Sequence, residues 1–307
     1  STPDITSYQH GNSETPYLAI IDGAVPGPTA MISAIIHGNE ICGAFALDQL
    51  LASGFTVDRG RLILVFANTI AFLRFDPSRP YASRFVDEDM NRVWSVDLLE
   101  APQQSVELAR AREIRPFAES ADYLLDLHST SLPAPPMLLC GTHVKGLDFA
   151  QKMGYPSHIV ADAGHAAGVR LRDFAAFGDA TSAQIAMLVE CGQHFDSNSP
   201  AVALNTIFAF LRAADMLDSV PKDVPDLPPP DTQCHIKVTD VVTTQSNRFA
   251  FTRNFQCFEK VAKGGTLIAL DGTRKIVSPY DDCVLVMPTQ QPVQGQTAVR
   301  LGRYVVK

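Results

Sequence analysis

Residues Arg61 to Asn68, RLILVFAN, are apolar at every interior position. A strand with one face in water alternates apolar and polar residues, so an unbroken run of this length requires cover on both faces. The run Ala30 to His37 has the same character, and between the two lie Ala44, Leu47, Leu50 and Leu51 at helical spacing. Strand, helix, strand is the order that builds a parallel sheet sandwiched by helices. Tyr17 to Asp22 adds a strand, joined to the next by a turn over Gly23 to Pro28. Further on, an amphipathic helix over Gln103 to Glu119 leads into an apolar strand, Tyr123 to His128. Met137 to Cys140, Ile159 to Ala161 and Ile185 to Val189 read as further strands, and Ala201 to Leu217 as an apolar helix covering the sheet.

Two segments break the pattern. Phe75 to Val93 is long, charged and punctuated by Pro77 and Pro80, and a connection of that length in a compact domain is usually functional or disordered. Asp162 to Ser182 is rich in Gly and Ala and is a candidate pocket wall. A Pro-rich stretch over 220–231 reads as a stiff linker, dividing an α/β domain (1–219) from a small β domain (232–307) of short strands with turns at Gly264-Gly265, Asp271-Gly272 and Asp281-Asp282. From residue 231 onward ten Lys/Arg face six Asp/Glu, a balance of +4; against the total of −8 this leaves −12 before it. Opposite signs favour docking of the two parts.

An acidic chain without a basic run is a poor partner for nucleic acid. No apolar stretch approaches the ~20 residues of a membrane span. The six cysteines are widely spaced, form no C-x-x-C pair and sit mostly in apolar runs, which points to free buried thiols and a cytoplasmic setting.

Chemistry concentrates where the strands end. Ile36-His37-Gly38-Asn39-Glu40 closes an apolar run with a turn and opens a helix, the place where open α/β sheets put ligands. A His and a Glu three apart can both reach one zinc ion, although the pair also reads as a buried His and a helix-dipole Glu. A catalytic zinc takes three protein ligands, and His128, at the end of Leu125-Asp126-Leu127-His128, is the candidate third. Asp126, two residues earlier on the same strand face, could orient it. Hydrolysis also needs a base, and Glu190 terminates the run Ile185 to Val189, where burial would raise its pKa; a structural ion pair is the alternative. In the long loop, Asp87-x-Asp89-x-Asn91 begins like a calcium loop, but Arg92 stands where the glycine belongs and Leu98 where the closing Glu belongs. Arg92 with Asn91 could instead grip a carboxylate and Arg84 an oxyanion, while a solvated charge run is the plainer reading.

Taken in order, His37-Gly-Asn-Glu40, Arg84, Asp89-Met-Asn91-Arg92, Asp126-Leu-His128 and Val189-Glu190 resemble the succinylglutamate desuccinylase and aspartoacylase family, relatives of zinc carboxypeptidases. Gly264 to Val286 resembles that family's C-terminal β domain. The resemblance implies a three-layer α/β/α sandwich around a mixed sheet and one zinc per chain on His37, Glu40 and His128. It further implies Glu190 as general base, Arg84 as oxyanion stabiliser, and Asn91 with Arg92 on the substrate's α-carboxylate. The implied substrate is a small N-acyl amino acid, cleaved at its amide, and relatives suggest a homodimer. Aspartoacylases also carry an arginine shortly before the base and a tyrosine near the C-terminus. Gly178 to Ala183 and Pro292 to Gly295 hold neither, which argues against acetylaspartate. A carboxypeptidase acting on peptides and a metal-binding protein without catalysis are the other readings of the same motifs.

Overall fold

The computed structural model describes residues 2–164, 166–219 and 232–305; the stretch read as a linker, 220–231, lies outside the described residues. The elements follow in the order β1 (Leu18–Asp22), β2 (Val25–Ala34), α1 (Cys42–Ala52), β3 (Arg59–Phe66), α2 (Thr69–Phe72), α3 (Val96–Glu100), α4 (Val106–Ser120), β4 (Tyr123–Thr130), β5 (Met137–Leu139), α5 (Val144–Met153), β6 (His158–Ala161), β7 (Ile185–Gln193) and α6 (Ser199–Ala213). The C-terminal part contributes β8 (Cys234–Thr243), β9 (Phe249–Phe251), β10 (Lys260–Val261), β11 (Leu267–Asp271), β12 (Arg274–Val277), β13 (Cys283–Val286) and β14 (Thr297–Val305).

Eleven strands share one mixed sheet in the order β1-β3-β2-β4-β7-β5-β6-β8-β14-β13-β10, and β12-β11-β9 form a small antiparallel sheet. Helices α1, α5 and α6 pack on one face of the large sheet, and α3 and α4 on the other. This is the three-layer α/β/α arrangement with a mixed sheet. Side-chain alternation divides each strand between the layers. In β4, Leu125 and Leu127 face the α1/α6 core, whereas Leu124 faces α4. Asp126 and His128 therefore share the face of Leu124. In β7, Met187, Val189 and Cys191 belong to the α1/α6 core, so Ala186, Leu188 and Glu190 face the other way.

The C-terminal strands extend the large sheet, because β8 pairs in parallel with β6, His158 opposite Cys234. Three details depart from the sequence pattern. Strand β2 starts at Val25, inside the expected turn, with its Pro residues in the exposed first half where no ladder partner is lost. Strand β7 runs on to Gln193, so Glu190 lies within the strand rather than at its end. Helix α5 was not expected, since Val144 to Met153 is short and partly polar.

The turn after β2 is built under strain. Ile35 has φ +56°, a left-handed conformation that a β-branched residue rarely adopts. Its carbonyl accepts from Asn68 N at 3.0 Å, and Gly38 N donates to Arg84 O at 3.0 Å, so the turn is tied both to the end of β3 and to the long loop. At Gly38 a Cβ would overlap the backbone of Ser83, Ala71 and Phe72. Gly38→Ala is expected to cost about 1–3 kcal/mol through this overpacking, read as a lower denaturation midpoint in a urea titration.

Candidate metal centre and active site

The parallel register brings the sequence-distant residues together. β2 lies between β3 and β4, and β4 between β2 and β7, all parallel, with His128 directly opposite Glu190. The turn beyond β2 sets His37 and Glu40 at the same sheet edge. Both His Nδ1 atoms turn to one carboxylate, His37 to Glu40 Oε1 and His128 to Glu40 Oε2, each at 2.8 Å. One ligand atom from each of His37, Glu40 and His128 lies within 4.8 Å of the others, and all three residues are buried. Two imidazoles and a carboxylate at this spacing are a donor set that can hold a metal ion.

The outer ring nitrogens are also engaged. His128 Nε2 lies 2.7 Å from Asp126 Oδ2, as its place two residues earlier on the strand leads one to expect. His37 Nε2 lies 2.8 Å from Asp89 Oδ1, a partner the sequence did not reveal because Asp89 reads there as part of a charge run. Carboxylates on the far nitrogens fix the tautomer that leaves Nδ1 for a metal. Burial opposes ionisation of Glu40, but His37 and His128 hold its carboxyl well below the usual range. Burial also disfavours a charged His128, and Asp126 and Glu40 override it, raising that imidazole well above its ordinary value.

Arg84 donates from Nη1 to Glu40 Oε1 at 3.3 Å and from Nη2 to Asp89 Oδ2 at 3.2 Å, which sets its guanidinium at the centre's edge. Asn91 is only partly available: its Oδ1 accepts from Leu171 N at 3.0 Å, and its Nδ2 sits 3.4 Å from His128 Nε2. Arg92 has its nearest carboxylate, Asp89, at 4.0 Å and lines the cavity. The long loop carrying these residues is clamped by Glu107 of α4, whose buried carboxylate accepts from Val86 N, Asp87 N and Glu88 N at 2.6–3.2 Å and from Asn68 Nδ2 at 3.0 Å.

A cavity of about 440 Å³ opens over the cluster, and all seven residues given a metal-binding, catalytic or substrate-binding role from the sequence line it: His37, Glu40, Arg84, Asn91, Arg92, His128 and Glu190. Burial first, and then the Glu40 charge, push the Glu190 carboxyl up to about 8. Its Oε2 is shielded from solvent and has no hydrogen-bond partner among the described residues, a costly state for a carboxylate that nothing is to meet. The six cysteines are free; Cys140 and Cys191 are buried and their thiols are raised by burial, so neither is an activated nucleophile.

The cavity also holds residues the sequence did not single out. Arg170, within the segment read as a pocket wall, donates bidentately to Asp162 at 3.0 and 3.1 Å and to Asp173 at 2.6 Å. Arg300, on β14, donates through Nε to the same Asp162 at 3.0 Å. A lone arginine in the apolar context Ala298-Val299-Arg300-Leu301 was the available signal. Ser129 Oγ lies 2.8 Å from His194 Nδ1, and burial pushes the His194 imidazole down to about 4, so it is neutral.

The sequence model of the succinylglutamate desuccinylase/aspartoacylase catalytic domain matches residues 26–214. The chain belongs to this family. It is 35% identical over 100 residues to a probable aspartoacylase of Parasynechococcus marenigrum, covering 31% of each chain. It is 33% identical over 109 residues to an N-acyl-aromatic-L-amino acid amidohydrolase (carboxylate-forming) of Xenopus laevis, covering 31% of this chain and 32% of that one. The matched stretches thus span about a third of these relatives' length. Among solved structures, a succinylglutamate desuccinylase from Silicibacter sp. TM1040 superposes with a TM-score of 0.67 at 17% identity, over 97% of this chain and 93% of its own. That likeness extends the family fold into the C-terminal strands. No helix among the described residues is long and apolar enough to cross a membrane.

Asp162 ties the wall segment to β14. Burial opposes its charge, but Arg170 and Arg300 hold its carboxyl well below the usual range. A depressed folded value means that the stabilisation is complete above the unfolded aspartate pKa of about 3.9 and is lost as pH falls through the folded value. Asp162→Asn is expected to destabilise the fold by about 3–5 kcal/mol at pH 7, since two buried guanidiniums lose their shared partner. In urea titrations at stepped pH the gap from the parent protein should narrow below about pH 4.

Proposed function

We propose that this protein is a zinc-dependent deacylase that hydrolyses the amide of a small N-acyl amino acid. The observation that carries the reading is Glu190: a carboxylate with an unpartnered oxygen, facing the same cavity as the His37–Glu40–His128 cluster and opposite His128 in the sheet register. The donor set fits zinc, with two imidazoles, one carboxylate and outer carboxylates on both rings. Bound there, a zinc ion supplies a Lewis acid that acidifies water and polarises the acyl carbonyl.

The chain's own residues do the rest. Glu190 takes the proton from the attacking water and delivers it to the amine nitrogen as the amide bond breaks. Its raised affinity for a proton suits both halves of that transfer. Arg84, at the edge of the centre, is positioned to donate to the oxygen that becomes negative in the tetrahedral intermediate. Arg92, the cavity arginine with the most distant counter-ion, takes the substrate's carboxylate. Family membership supports the reading, as do relatives described as an aspartoacylase and an N-acyl-amino acid amidohydrolase. Residues Phe255 to Cys257 and Met287 to Gln290 of the C-terminal part wall the cavity, which favours a small substrate over an extended peptide.

The zinc-loaded protein should turn over members of a panel of acetyl and succinyl amino acids, and Glu190→Gln should lower kcat/KM about 10²–10⁴-fold. Unchanged turnover in that variant would overturn the role given to Glu190. Asp89→Asn should weaken zinc about 10–100-fold in competition with a chromogenic chelator, while His128→Ala should remove stoichiometric zinc from the purified protein.

A further inference from the structure

The cavity lining includes apolar residues that the mechanism above does not use. Leu132, Leu139, Leu188, Phe255, Met287 and Pro288 line the cavity, and Leu139, Leu188 and Met287 pack in one apolar cluster that gives it an uncharged wall. Leu139 pairs with Leu188 across β5 and β7, and Leu188 lies two residues before Glu190 on the same strand face, so the wall begins beside the base. Phe255, Met287 and Pro288 come from loops beside the C-terminal strands, after β9 and after β13. Met287 and Phe258 both have left-handed backbones, φ +48° and +66°, which non-glycine residues hold only where the surroundings enforce them. Met287 N points at Cys257 Sγ at 3.4 Å, and Phe258 N donates to Leu285 O at 2.7 Å, locking the corner that presents Met287 to the cavity.

The arginines of the lining offer recognition of one anion rather than two. Arg84 and Arg170 meet carboxylates at 3.3 Å or less, Arg300 shares Asp162 with Arg170, and Arg92 has its nearest carboxylate only at 4.0 Å. The protein thus supplies close internal counter-ions for three of the four cavity arginines. A second substrate carboxylate would compete with Asp162 or be desolvated against leucine and methionine, and both are unfavourable. The volume, about 440 Å³, is of the class that holds a drug-sized ligand and exceeds what an acetyl group on a small acidic amino acid fills.

We propose that the substrate is a mono-anionic N-acyl amino acid carrying an apolar group, which packs against the wall formed by Leu139, Leu188, Phe255 and Met287. This rests on the deacylase reading and narrows it. The apolar group can sit on the acyl side or on the amino acid side chain, and the shared requirement is an uncharged hydrocarbon surface beside Met287.

The test measures binding by calorimetry to zinc-loaded Glu190→Gln protein, and turnover by the parent protein, for four ligands: N-acetylglycine, N-acetylphenylalanine, N-hexanoylglycine and N-acetylaspartate. The expected result is that N-acetylphenylalanine or N-hexanoylglycine binds at least about tenfold more tightly than N-acetylaspartate, the better of the two identifying the side that faces the wall. Adding Met287→Glu should cut the preference for that ligand over N-acetylglycine at least about tenfold, with an unchanged urea midpoint reporting an intact fold. Equal or tighter binding of N-acetylaspartate, no binding of any ligand, or indifference to Met287→Glu would overturn the proposal. Preferential binding of the apolar ligand without its hydrolysis by the parent protein would instead sink the deacylase reading and leave the wall assignment standing. Hydrolysis confined to N-acetylaspartate would do the reverse.

Discussion

One carboxylate organises the centre of this molecule. Glu40 is 3% exposed, and its two oxygens meet His37 Nδ1, His128 Nδ1, Ser129 N and Arg84 Nη1. Moving a carboxylate out of water costs several kcal/mol, so such a group is tolerated only when partners surround it. The two imidazoles are in turn held from behind, His37 by Asp89 and His128 by Asp126. The left-handed Ile35 belongs to the same arrangement: the chain leaves β2 through a conformation that costs about 1–3 kcal/mol, offset by the packing of the sheet around it.

The polar set is assembled on two kinds of support. His128 and Glu190 stand on adjacent parallel strands whose spacing is fixed by the backbone ladder, and this makes the separation of the proposed metal ligand and the proposed base a property of the sheet. The arginines come from loops, and loops need fastening. Glu107 fastens the loop of Arg84 and Arg92 by accepting three consecutive backbone N–H groups, and Asn91 fastens the wall segment through Leu171 N. Asp162 then joins that segment to β14 through Arg170 and Arg300, so the C-terminal strands form part of the cavity rather than an appendage.

Much of this was legible in the chain, for a definite reason. Apolar runs of strand length, separated by residues at helical spacing, report burial directly, and each of the seven runs read as strands before residue 219 falls on a strand of the large sheet. The residues that end or interrupt those runs, His37 with Glu40, Asp126 with His128, and Glu190, stand out because a polar group in an apolar strand is expensive without a purpose. The seven residues given a metal-binding, catalytic or substrate-binding role from the sequence line one cavity. By contrast, Asp89, Glu107, Asp162, Arg170 and Arg300 carry no local signature, since a charged residue in a polar loop looks the same whether it is solvated or paired.

The sequence by itself determined the layered α/β class, the strand edges and the chemical character of the centre, because periodicity and the cost of burying charge act on neighbours along the chain. Tertiary structure alone decided that β8 continues the sheet from β6, that Asp89 backs His37, and that Arg300 and Met287 reach the cavity from the C-terminal strands. Those contacts depend on strand order and on turns such as the one through Ile35. They join residues far apart in the chain, where no local preference can register them.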